Sequence, residues 1–144
     1  METTPVSPHV PGENRPSRPL RSLLAVAGLV LSGIGAATLF APESFHAVNG
    51  IVLDGGTALL SESRAAGGLL LSSGVLITLG AFVARLTRTA TAVGALAYLS
   101  YALSRLLSAA LDGLPPGGLV VAGLVELVLG LACAAFLVRA PSRG

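Results

Sequence analysis

Glu126 is the residue most in need of a reason, because it stands inside an apolar run at residues 117–138. At 1.5 Å of helical rise per residue it lies about 13 Å below the nearer end of that run. An acid at such depth in a bilayer costs about 2.5–3.5 kcal/mol, so intramembrane carboxylates face a partner or a cavity and mark function by default. Arg105, in the preceding apolar run, lies about 9 Å deep by the same rise, close enough for one long side chain to meet the other. It belongs to a stripe: Tyr98, Tyr101, Arg105, Ser108 and Asp112 follow at spacings of 3, 4, 3 and 4, which stacks them on one helix face. Gly123, Glu126, Gly130 and Cys133, at spacings of 3, 4 and 3, form a second face of small residues interrupted by one acid. Small residues let helices approach closely in lipid. A third run adds Arg64, Gly67, Gly74 and Thr78 along one side, with Glu62 just outside it. Assembled, these faces predict a polar pocket with Glu126 at its floor and Arg105 on its wall.

Three chemistries suit such a pocket. The first is binding of a lipophilic small molecule of quinone or isoprenoid type by Glu62, Arg64, Tyr98, Tyr101, Arg105, Ser108, Asp112 and Glu126. The second is an enzyme that isomerises or cyclises such a molecule or opens its epoxide. There Glu126 would be the catalytic proton donor or acceptor, and Arg105 or Tyr101 would stabilise developing charge. The third is a structural Arg105–Glu126 ion pair that fixes helix register, with the two tyrosines closing hydrogen bonds and no ligand. Hydrocarbon and a neighbouring guanidinium pull the protonation of a buried acid in opposite directions, so all three stay open. A proton carrier needs more intramembrane stations than one acid. Cys133, alone in the chain, reads as a packing residue, and His46 as an interfacial polar residue. His9 is the only other histidine, which excludes a His-rich metal site. No nucleotide loop, catalytic triad or haem ligand pair is visible, and the cofactor is unspecified.

The elements that would hold these residues are membrane spans. The chain has 144 residues, 53% of them apolar and only 11% charged, whereas soluble domains carry about 25% charged residues. Residues 23–40, 65–86, 90–111 and 117–138 are each apolar over about the length that crosses roughly 30 Å of hydrocarbon. A signal peptide competes for the first run, but that run exceeds the usual apolar core of about 7–15 residues, and three more spans follow it. Short connectors force neighbouring spans antiparallel. The expected fold is therefore all-α, an integral-membrane four-helix bundle running up, down, up and down. The expected divisions are a disordered Pro- and Arg-bearing tail at 1–21, a transmembrane domain at 22–139 and a short tail at 140–144. The connector 42–61 is too broken to span, and lies along the interface or caps the bundle.

All nine basic residues are Arg, and most stand at span ends rather than on the exposed stripe that nucleic-acid binding needs. Arg15, Arg18, Arg21, Arg85, Arg88, Arg139 and Arg143 fall on one side of the four-span arrangement. The positive-inside rule makes that side cytoplasmic. Both termini are then expected in the cytoplasm of a cell-membrane protein, with the pocket in the outer half. Small residues on several faces permit a homo-oligomer without requiring one.

Several segments resemble a known family. Ala41-Pro42-Glu43, Glu62-Ser63-Arg64-Ala65-Ala66-Gly67-Gly68, Ser104-Arg105, Leu111-Asp112-Gly113-Leu114-Pro115 and Glu126 look like the small bacterial membrane family catalogued as domain of unknown function 4345. The resemblance covers about residues 20–138. It implies a four-helix membrane bundle related to the broad DoxX-like group, and implies no agreed activity, so it transfers no catalytic role to Glu62, Arg64, Arg105, Asp112 or Glu126.

Overall fold

The computed structural model describes residues 16–53 and 56–139. Four long helices, α1 (Arg18–Phe40), α3 (Thr57–Gly80), α4 (Thr87–Asp112) and α5 (Gly117–Arg139), carry the chain back and forth, with a short α2 (Pro42–Val48) after the first. No strand occurs among the described residues. Each long helix is long and apolar enough to cross a bilayer, and their outward faces carry leucines and valines such as Leu29, Leu69, Leu103 and Val128. The chain is a multi-pass membrane protein with an all-α four-helix bundle.

Sequence chemistry sets the helix ends. Pro19 sits in the first turn of α1, where its missing N–H breaks no helical bond. That helix begins at Arg18, inside the stretch expected to be tail; residues 1–15 and 140–144 lie outside the described residues. Pro42 opens α2, which ends in a Schellman motif: Gly50 N–H donates to the Ala47 carbonyl and Ile51 N–H to that of His46. Gly50 takes φ +75° there, a conformation that favours glycine. The second span occupies Thr57–Gly80 rather than 65–86. Its first turns hold Ser61, Glu62, Ser63 and Arg64, which hydropathy sets outside a span but a helix accepts at the polar boundary. Its expected last turn is instead a tight reversal through a 3-10 turn at Ala84–Leu86, pinned by the Thr87 hydroxyl donating to the Gly80 carbonyl at 2.9 Å.

Helices associate as two close pairs. Along α1 and α3, Gly28, Gly35, Gly67 and Gly74 stand where any Cβ would run into the backbone of the partner helix, the close approach that small residues allow in lipid. Along α4 and α5, Gly130 seats against Leu99, and Gly94 against Cys133. The pairs join most tightly at the Arg85 end, where Leu24, Ala27, Ile77, Ala81 and Ala90 are fully or almost fully buried. Toward α2 they part.

Candidate functional site

A cleft of about 410 Å³ fills the gap between the pairs at the α2 end. Its floor is Tyr98, 2% exposed, with Leu31 and Leu70 beside it. The Tyr98 hydroxyl donates to the Ala27 carbonyl at 2.5 Å, which ties α4 to α1 and closes the bundle beneath. Glu126 therefore stands on the wall rather than at the floor where sequence spacing put it, since Tyr98 lies deeper in the helix stack.

Arg105 and Glu126 meet as expected. Arg105 Nε donates to Oε2 of Glu126 at 2.8 Å, and Nη2 to Oε1 at 3.2 Å, a two-point contact that fixes orientation as well as charge. The Arg105 stem packs closely over Gly123, where a Cβ would stand 3.3 Å from Cδ. Glu126 is 8% exposed. Guanidinium carries five N–H donors, and two serve Glu126; the others have no protein acceptor among the described residues. Tyr101, 38% exposed, also lines the cleft, and its hydroxyl has no partner among the described residues.

Two of the five members of the expected stripe leave the site. Ser108 and Asp112 do not line the cleft; they are exposed, and the Ser108 hydroxyl donates to Asp112 Oδ2 at 3.1 Å. A repeat averaging 3.5 residues drifts about 20° per heptad on a 3.6-residue helix, so the stripe has rotated off the cleft by its last members. Glu62 and Arg64 are exposed on α3 and do not line the cleft either. The face of α3 carrying Gly67, Gly74 and Thr78 is consumed by α1. The cleft instead receives Leu59, Ser63, Ala66 and Leu70, another helical set at spacings of 4, 3 and 4.

Sequence reading also missed the roof. Phe45, His46, Asn49 and Ile51, from α2 and the turn after it, line the mouth of the cleft. His46 Nε2 lies 3.0 Å from the Ser63 hydroxyl, which joins the cap to α3. The Asn49 side chain donates to the Phe45 carbonyl at 3.0 Å. The connector thus caps the bundle, one of the two placements its broken pattern allows. From α1 the cleft takes Leu31, Ile34 and Thr38, and Thr38 satisfies its hydroxyl within its own helix on the Ile34 carbonyl.

Bundle and cleft together define a class: a small multi-pass membrane protein with a mostly apolar cavity and one clamped ion pair on its wall. More narrowly, the chain belongs to the family described as domain of unknown function 4345, whose sequence pattern matches residues 19–137. No curated protein and no solved structure matches the chain.

Proposed function

We propose that the cleft binds a lipophilic small molecule of quinone or isoprenoid type that carries an acceptor oxygen. One observation carries this reading: the Tyr101 hydroxyl and the remaining Arg105 N–H groups border a mostly apolar cleft and have no protein acceptor among the described residues. Unpaired donors in hydrocarbon are costly, and a carbonyl or hydroxyl oxygen would satisfy them. Because Glu126 already balances the charge of Arg105, a neutral head suits the site better than an anion. Tyr98, Tyr101, Arg105 and Glu126 are the binding residues of this proposal. The leucine and isoleucine lining takes the hydrocarbon part.

Binding is preferred over turnover. Both oxygens of Glu126 accept from Arg105, so the carboxyl group is engaged by its partner rather than presented to a substrate. The test uses a benzoquinone with a decyl tail and the detergent-extracted protein. It should raise the melting temperature of the native chain, and Tyr101→Phe, which removes one donor and little packing, should weaken binding about fivefold, the worth of one hydrogen bond. No thermal shift, together with no small molecule retained in native mass spectrometry, would sink the proposal. Equal binding by Tyr101→Phe would remove Tyr101 from it.

A further inference from the structure

The opposite end of the bundle carries a second cavity that the cleft does not use. It measures about 580 Å³, and Arg21, Phe82 and Arg85 line it with Pro16 and the reversal at Ala81–Ala84. The Arg21 guanidinium lies 5.0 Å from the centre of the Phe82 ring, a cation–π contact that holds it in place. Arg85 is exposed on the adjoining 3-10 turn. Arg18, Arg88 and Arg139 stand at the same end, and among the described residues no acid does. The positive charge there is uncompensated within the described fold.

We propose that this groove binds the phosphate of an anionic lipid headgroup, held between Arg21 and Arg85. Guanidinium is suited to phosphate because its planar donors match the oxygens and it is only weakly hydrated. The groove lies where spans end, which is the level of headgroups. A lipid places its phosphate there while its chains follow the apolar faces of α1 and α3. A soluble phosphate has no such second anchor. Pinning of Arg21 by Phe82 distinguishes this site from general attraction of a basic surface, which acts through every arginine at that end.

The experiment compares retention of phosphatidylglycerol and phosphatidylcholine of identical chains by the full-length protein in native mass spectrometry. Phosphatidylglycerol should be preferred, and Arg21→Ala and Arg85→Ala should each lower the preference about tenfold, the effect of losing one hydrogen bond to a charged group. Arg139→Ala, outside the groove, should leave it unchanged. Arg85 makes no side-chain hydrogen bond or ion pair among the described residues, so its variant tests the site even if Arg21→Ala loosens α1. Equal loss from Arg139→Ala would make the attraction diffuse and overturn the site. So would the absence of any preference, or full displacement of the lipid by millimolar glycerol phosphate, which would identify a soluble anion instead.

Discussion

At the scale of residues, the contact between Arg105 and Glu126 decides how α4 and α5 are keyed to one another. Its two hydrogen bonds give both groups a partner in a region where water is scarce. Removing either side chain leaves the other charge uncompensated, which costs about 3–5 kcal/mol where such pairs are buried. We expect Arg105→Met and Glu126→Gln each to destabilise the extracted protein, Arg105→Met by the larger amount because Gln can still accept from Arg105. Combined, they should cost less than their sum, with a coupling above about 0.5 kcal/mol. Denaturant titration of the four members of the cycle measures it, and strict additivity would mean that the two groups do not stabilise each other. Gly123 belongs to the same unit, for the Arg105 stem packs directly over it.

At the scale of elements, the α1–α3 pair depends on backbone contact that a single methyl would disturb. A Cβ on Gly35 would overlap the backbone of Leu71, whereas one on Gly33, in the same helix, meets nothing. Gly35→Ala should therefore cost about 1–3 kcal/mol by forcing the helices apart. Gly33→Ala should be neutral or stabilising by up to about 1 kcal/mol, because alanine is the better helix former. Thermal unfolding of both variants checks the pair, and equal effects would mean that the close approach is not what holds α1 to α3. The same pair shows what the sequence could and could not tell. Four spans and the Arg105–Glu126 meeting follow from hydropathy and from 3- and 4-residue spacings. On α3, two faces have equally good spacing, and spacing alone reads the one bearing glycines as the pocket face. Physically it had to go to a helix, because only it admits a neighbouring backbone, leaving Leu59, Ser63, Ala66 and Leu70 for the cleft. The contributions of α1 and α2 were hidden for another reason. Leu31 and Ile34 look like any lipid-facing pair, and His46 reaches Ser63 only after a seven-residue helix and its turn fold back over the bundle.

At the scale of the whole molecule, charge and cavity are distributed asymmetrically along the membrane normal. The described residues place Arg18, Arg21, Arg85, Arg88 and Arg139 at one end; Glu43, Glu62 and Asp112 lie toward the other, on the side of α2 and the cleft. Cytoplasmic loops hold the excess of arginine in membrane proteins, and acids contribute little to that bias. Orientation should thus put the Arg85 reversal and the end of α5 in the cytoplasm, with the cleft opening in the outer half of the bilayer. A fluorescent protein that matures only in the cytoplasm should glow when fused after the C-terminus. Alkaline phosphatase, active only outside the cytoplasm, should be active when inserted at residues 113–116. Replacing Arg18, Arg21, Arg85 and Arg88 together by Gln should yield a mixture of orientations, since the bias would then rest on fewer charges. The reverse reporter pattern in the native chain would turn the molecule over. The lipophilic ligand would then enter from the cytoplasmic leaflet, and the arginine groove would meet headgroups of the outer one.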